Sequence, residues 1–112
     1  FTLPDVIADN TSDARVAVGH DGIAPRSADL ETLGCVFEVD GTITGTATGA
    51  ALLGDPARCV AMLANHLGRY GLQLDRGWAV LAGATTDAQP ITEGGTATAR
   101  YSHLGSVTVT AR

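Results

Sequence analysis

Apolar and polar side chains alternate between Leu33 and Asp40, with the period of two that is typical of a half-buried strand. Asp40 and Gly41 form the dipeptide that a two-residue type I′ turn favours. The residues that follow, Thr42–Thr48, are mostly β-branched, which favours a second strand. The pattern therefore predicts a β-hairpin over residues 33–48.

Helical periodicity begins after this hairpin. Asp55 and Pro56 are a typical helix start, with Asp55 as N-cap and Pro56 at the first helical position. Apolar residues then recur at about 100° per residue and form one stripe, made of Val60, Leu63, Ala64, Leu67 and Tyr70. Gly71 suits the position just after the helix. We predict a helix over about 56–70 that packs through this stripe.

Shorter patterns predict the remaining strands. The apolar run Val6–Ala8 resembles the end of a strand, and weaker strand patterns cover Arg15–Val18 and Trp78–Ala82. Two alternating segments close the chain, at Thr96–Tyr101 and Ser106–Ala111. One helix among about six strands predicts an α+β fold that is mainly β.

The composition narrows the classes of function. The 112 residues suit a single domain, residues 1–112. A net charge of −5 and the absence of lysine argue against nucleic acid as a partner, and exclude a Schiff-base lysine within this chain. No apolar run approaches a membrane span, and no export signal is visible. Cys35 and Cys59 form no C-x-x-C pair, so we expect reduced, buried thiols and a cytoplasmic location.

Few residues suggest chemistry by themselves. Glu38 and Asp40 place two carboxylates on one strand, a spacing that a divalent cation can use, although acids beside a hairpin tip are ordinarily just solvated. The three histidines share no ligand spacing. Two polar loops remain, Asp9–Ser12 and Gly83–Thr86, and each is either a ligand-facing loop or a plain turn.

Several segments, taken in order, resemble the carboxy-terminal half of the 2-keto-4-pentenoate hydratase and 4-oxalocrotonate decarboxylase family, within the fumarylacetoacetate hydrolase fold group. The matching segments cover nearly the whole chain: Asp5–Ser12, Leu33–Gly41, Gly49–Pro56, Ala61–Asn65, Val80–Gly83 and Leu104–Val107. Residues 62–68 and the pair Arg100-Tyr101 are slightly more similar to the decarboxylases. The combination is far more specific than any single segment.

The resemblance implies a lyase of aromatic meta-cleavage pathways, in which Mg²⁺ or Mn²⁺ chelates a small unsaturated 2-oxo acid. It implies a distorted antiparallel β-sandwich or roll with peripheral helices. It places Asn10, Ser12 and Thr86 at the substrate, and it places the glutamate ligands and the catalytic lysine upstream of Asp5. No catalytic residue and no metal ligand is therefore expected in this chain, which would need a partner lobe or form a homo-oligomer. Two alternatives stay open: a non-catalytic assembly lobe, and a related C–C hydrolase or decarboxylase.

Overall fold

The structure, a computed structural model, describes residues 2–9, 11, 13–20, 22–24 and 26–112. Its regular elements in chain order are α1 (Leu3–Ala8), β1 (Gly34–Val39), β2 (Thr42–Thr48), a 3₁₀ turn (Gly49–Ala51), α2 (Pro56–Gly68), β3 (Thr96–Tyr101) and β4 (Gly105–Thr110). The strands form one antiparallel sheet in the spatial order β2-β1-β3-β4. The predicted α+β class is confirmed, with four of the roughly six predicted strands in the described residues.

The predicted hairpin is confirmed, including its turn. Asp40 and Gly41 have φ values of +49° and +76°, the positive angles that a type I′ turn requires at both central positions. The pairing of β1 with β2 shifts between Phe37 and Glu38, so that Thr44 is the extra residue of a bulge. The Thr44 hydroxyl donates a hydrogen bond to the Phe37 carbonyl at 3.3 Å.

We expect Asp40 to stabilise the sheet by linking this turn to β3. Its Oδ1 accepts a hydrogen bond from the Thr96 backbone N–H at 2.7 Å, and aspartate tolerates the positive φ of the turn. Asp40→Ala should lower the free energy of unfolding by about 1–2 kcal/mol. Asp40→Asn should lose less than half of that, because an amide oxygen still accepts the bond and asparagine tolerates the same backbone angle. Equal losses for the two variants in urea denaturation would contradict this role.

The two faces of the sheet differ in character. One face carries Cys35 and Ala97, each only 4% exposed, and with Leu33 they make up the buried apolar core of the described residues. On the other face Thr98 and Thr108 share a hydroxyl–hydroxyl hydrogen bond of 2.9 Å. The fold therefore has a small core on one side of the sheet.

The predicted helix is confirmed at both ends. The Asp55 side chain accepts a hydrogen bond from the Ala57 N–H at 2.8 Å, as an N-cap does. After the last regular turn, the Leu72 N–H donates to the Leu67 carbonyl at 3.1 Å, and the Gly71 N–H to the Gly68 carbonyl at 3.2 Å. With φ of +71° at Gly71, this is a Schellman motif, which terminates the helix.

The packing predicted for this helix is only partly present. No residue of α2 is fully buried, and α2 makes no extensive contact with the sheet among the described residues. Leu63 and Leu67 are only half-buried, whereas Tyr70 is 69% exposed. The apolar stripe is present in the sequence, but the described residues provide little surface to cover it.

The predicted strand at Val6–Ala8 is also wrong, because these residues belong to α1. The Asp5 carboxylate accepts hydrogen bonds from both the backbone N–H and the hydroxyl of Thr2, at 2.8 and 2.7 Å. Together with Pro4 in the first turn, this Thr2-to-Asp5 interaction starts a helix. A three-residue apolar run carries too little periodicity to separate a strand from a short helix.

The segments Arg15–Val18 and Trp78–Ala82 were predicted as strands, and both predictions are wrong. Neither segment is in a ladder, and Val18 and Trp78 are 82% and 62% exposed. A strand needs a partner to receive its backbone hydrogen bonds, and neither segment has one within the described sheet. None of the helices in the described part of the chain is long and apolar enough to span a membrane.

Candidate functional site

Two segments that are distant in sequence line one cleft of about 930 Å³. One wall is formed by Thr11 and residues 13–17, and the other by residues 81–84. Asn10 and Ser12, two of the predicted contacts, lie outside the described residues, but their neighbours Thr11 and Asp13 line this cleft. The structure thus brings the Gly83–Thr86 loop close to the end of the Asp9–Ser12 loop.

Two charged residues that the sequence did not single out also line this cleft. Asp13 and Arg15 follow the first polar loop and place one acid and one base at the cleft wall. Only their position directly after that loop could have indicated them, because neither belongs to a motif of fixed spacing. The cleft therefore combines an apolar wall at Leu81 with opposite charges on the facing segment.

Thr86 lies in a second, neighbouring cleft of about 550 Å³. It packs against β2, because a Cβ atom added at Gly45 would come within 3.1 Å of the Thr86 Cγ2 atom. The two clefts share Ala84, so the Gly83–Thr86 loop separates them. The structure therefore does not place Thr86 in the same cleft as Thr11 and Asp13.

Gly83 shapes this loop through its backbone. Its φ of +118° is rarely adopted by other residues, and an added Cβ atom would lie 3.2 Å from the Leu52 Cδ2 atom. Glycine thus lets the chain pass close to Leu52 at the boundary of the clefts. This explains in physical terms why glycine occupies position 83.

The other end of the loop contacts the sheet at Tyr101, which pairs directly with Cys35 across β1 and β3. Burial raises the pKa of the Tyr101 phenol, a hydrogen bond with Thr85 opposes the shift, and the Cys35 thiol adds to it. The phenol is therefore protonated at neutral pH. Thr85, on the loop between the two clefts, thus lies near the Tyr101 phenol on β3.

Glu38 and Asp40, the two carboxylates whose spacing could suit a divalent cation, both have other partners. Glu38 forms a two-bond ion pair with Arg100 on β3, in which the second hydrogen bond, from Nη1 to Oε2, measures 2.9 Å. Asp40 accepts from Thr96, as described above. Within the described ranges, no three His, Cys, Asp or Glu side chains are grouped so as to hold a metal ion. These residues therefore do not fit a metal site.

The cysteines are both free thiols, as predicted. Cys35 is buried in the sheet, whereas Cys59 on α2 is only half-buried and its thiol donates to the Leu52 carbonyl at 3.6 Å. Burial of both thiols was predicted, and it holds for Cys35 alone.

No family model matches the chain. Individual relatives do: over nearly its whole length the chain is similar to 4-oxalocrotonate decarboxylases and 2-keto-4-pentenoate hydratases. The family resemblance inferred from the sequence is confirmed.

The individual matches cover nearly all of this chain. It is 41% identical over 107 residues to a 4-oxalocrotonate decarboxylase of Pseudomonas sp. (strain CF600), which is 96% of this chain and 40% of the relative. A 2-keto-4-pentenoate hydratase of Burkholderia vietnamiensis is 35% identical over 106 residues, which is 95% of this chain and 40% of the relative.

Comparison with solved structures also finds a 4-oxalocrotonate decarboxylase. The structure of the 4-oxalocrotonate decarboxylase from Pseudomonas putida G7, complexed with magnesium and adipate, superimposes with a TM-score of 0.90 at 39% identity. The match covers 96% of this chain and 41% of that one, and the same protein has also been solved with calcium and acetate. The chain thus spans about two-fifths of the length of the relatives it matches.

Proposed function

We propose that this chain is one lobe of a metal-dependent lyase that acts on a small unsaturated 2-oxo acid. The observation that carries the proposal is the superposition on the decarboxylase solved with magnesium and adipate, at a TM-score of 0.90 and 39% identity. That degree of identity, over 96% of the chain, supports a shared role as well as a shared fold. Because the described residues do not fit a metal site, the ligands for Mg²⁺ or Mn²⁺ belong to another part of the enzyme.

In this proposal the chain contributes substrate contacts rather than catalytic groups. The proposed contacts are Asn10, Ser12 and Thr86; Thr11 and Asp13, the neighbours of Ser12, line the first cleft, and Thr86 lines the second. The positive φ of Gly83 and the packing of Thr86 against Gly45 support this proposal, because they shape the loop on which these contacts depend. The 112 residues act as a single lobe, and we propose that the enzyme is cytoplasmic.

Decarboxylation and hydration are both compatible with the identities. Over nearly the whole chain, identity is 36–41% to 4-oxalocrotonate decarboxylases and 35–36% to 2-keto-4-pentenoate hydratases, and it is 43% to a 2-hydroxypent-2,4-dienoate hydratase over 62% of the chain. The difference is small, so the two reactions are best separated by their products. The competing function is a lobe that assembles with the enzyme without taking part in catalysis. The described residues contain no group of side chains that could hold a metal ion, and this favours the competing function.

The isolated chain is expected to be inactive. With 4-oxalocrotonate or 2-hydroxypent-2,4-dienoate as substrate and millimolar Mg²⁺, we expect no turnover above a metal-free blank, because the described residues do not form a ligand group. Absorbance of the conjugated substrate provides the assay. Clear Mg²⁺-dependent turnover by the chain alone would contradict our assignment of the ligands to another part of the enzyme.

The catalytic part of the proposal is tested in a hybrid enzyme. The hybrid is the Pseudomonas putida G7 decarboxylase in which this chain replaces the region that aligns with it. We expect the hybrid to convert 4-oxalocrotonate in a Mg²⁺-dependent reaction. A folded hybrid without turnover would instead support the non-catalytic lobe.

A further inference from the structure

The strand β2 is rich in threonine, but it carries a glycine at position 45. Glycine weakens the interior of a strand, and it often marks a point where another part of the chain approaches closely. The backbone does not require glycine here, because Gly45 does not adopt a positive φ. Its partner on β1, Phe37, leaves room for a side chain, since a Cβ atom added at Gly45 would lie 4.0 Å from the Phe37 Cβ atom. The reason for the glycine therefore lies outside the sheet.

That reason is Thr86, at the end of the Gly83–Thr86 loop. A Cβ atom added at Gly45 would lie 3.1 Å from the Thr86 Cγ2 atom and 3.3 Å from the Thr86 Cβ atom. Both distances are shorter than an ordinary contact between carbon atoms. Rotation of the Thr86 side chain can move Cγ2 but not Cβ, so an added methyl group must push the loop and β2 apart by a few tenths of an ångström.

The contact leaves the Thr86 hydroxyl available to a ligand. The two atoms of Thr86 nearest to Gly45 are both carbons, and no hydrogen bond among the described residues uses its hydroxyl. Thr86 is half-buried and lines the second cleft, which Thr44 and Thr46 of β2 also line. The methyl group thus holds the side chain against β2, while the hydroxyl can form a hydrogen bond in the cleft.

The other end of the loop is also packed closely at a glycine. A Cβ atom added at Gly83 would lie 3.2 Å from the Leu52 Cδ2 atom. Between these two contacts, Ala84 lines both the first and the second cleft. A displacement of Thr86 therefore moves the segment that separates the two clefts.

We propose that Gly45 is a positioning residue of the enzyme, because its lack of a side chain sets how closely Thr86 packs on β2 and so where the Thr86 hydroxyl meets the substrate. The inference rests on the proposed function, in which Thr86 contacts a small unsaturated 2-oxo acid. Gly45 acts through Thr86 and does not itself bind the substrate. Misplacement of a binding group by about 1 Å can lower a rate by about a hundredfold, so a shift of a few tenths of an ångström should cost about tenfold.

A cycle of two substitutions in the hybrid enzyme tests the proposal. We expect Gly45→Ala to lower kcat/KM for 4-oxalocrotonate by about tenfold. Thr86→Ser removes the Cγ2 atom and keeps the hydroxyl. In the Thr86→Ser background, Gly45→Ala should therefore lower kcat/KM by less than about threefold. Gly34→Ala on β1 is the matched control, because its added Cβ atom would meet the Ser102 Oγ atom at an ordinary 3.7 Å, and it should change kcat/KM by less than about twofold.

Melting temperatures are measured on the same variants, because a purely structural role predicts other results. Equal losses of kcat/KM for Gly45→Ala in the two backgrounds would overturn the proposal, since the effect would not pass through the Thr86 methyl group. A loss below about twofold would overturn it as well, and so would a loss that Gly34→Ala shares in proportion to its melting temperature.

A folded hybrid that shows no turnover before any substitution would reject the proposed function, and the contact is then tested in the isolated chain. Gly45→Ala should shift the midpoint of urea denaturation less in the Thr86→Ser background than in the unaltered chain. That result would keep the control of the loop by Gly45, and equal shifts in the two backgrounds would overturn it.

Discussion

Gly49→Ala is expected to lower the free energy of unfolding by at least about 3 kcal/mol, one of the largest effects of a single methyl group in this chain. Gly49 is buried at the start of the 3₁₀ turn, and a Cβ atom there would overlap the carbonyl oxygen of Leu30. It would also lie 2.9 Å from the Leu30 carbonyl carbon and 3.2 Å from the Pro56 ring. Backbone atoms cannot move aside as a flexible side chain can, so the turn itself must shift.

The clash should spread because hydrogen bonds join this turn to the segment directly before β1. The Gly49 N–H donates to the Leu33 carbonyl at 3.0 Å, and the Ala50 N–H to the Glu31 carbonyl at 2.8 Å. Gly68→Ala is the matched control, because an added Cβ atom meets nothing within 4 Å and alanine favours helix by up to about 1 kcal/mol. Urea denaturation of both variants provides the measurement. A loss below about 1 kcal/mol for Gly49→Ala would show that the turn does not pack as described.

Ser12→Ala is expected to lower kcat/KM of the hybrid enzyme by about 10- to 100-fold. Under the proposed function Ser12 donates a hydrogen bond to the substrate as negative charge develops, and its neighbours Thr11 and Asp13 line the candidate cleft. Loss of one or two such hydrogen bonds accounts for an effect of this size.

A purely local role for Ser12 would give a different pair of results. If the hydroxyl only stabilises its own turn, Ser12→Ala lowers the melting temperature and leaves kcat/KM within about twofold. Both quantities are measured on the same preparation of the hybrid. Reduced stability with intact kcat/KM would remove Ser12 from the proposed site.

The elements that the sequence predicted correctly are those stabilised by local interactions. The hairpin depends on Asp40 and Gly41, whose positive φ angles are available to few residue pairs. α2 begins with a side-chain cap at Asp55 and ends in a glycine turn, and both can be recognised from residue types alone.

The failed predictions concern features that depend on partners distant in sequence. Alternation at Arg15–Val18 shows that a strand is possible there, but only another strand can supply its hydrogen bonds. The stripe on α2 predicts an apolar face without showing what covers it. The segment α1 is different, because Thr2 and Asp5 are a local signal of a helix start that outweighs the apolar run at Val6–Ala8.

The candidate site was predictable only in part. Small and polar residues indicated the Gly83–Thr86 loop, and the positive φ of Gly83 gives that pattern a physical basis. The approach of residues 13–17 to residues 81–84 could not be inferred, because it joins two irregular segments whose association leaves no periodic pattern. The separation of Thr86 from that cleft likewise follows from its contact with Gly45 in three dimensions.

The most direct test of the central claim is the Mg²⁺ dependence of turnover by the hybrid enzyme, with the unaltered Pseudomonas putida G7 decarboxylase in the same assay. If this chain is the substrate-contacting lobe of a metal-dependent lyase, the hybrid should release CO₂ from 4-oxalocrotonate. Its kcat/KM should be no more than about a hundredfold below that of the unaltered enzyme. Removal of the metal with a chelator should abolish the reaction, and added Mg²⁺ should restore it. A folded hybrid that binds Mg²⁺ as the unaltered enzyme does, yet releases no CO₂ and forms no hydrated product from 2-hydroxypent-2,4-dienoate, would contradict the claim.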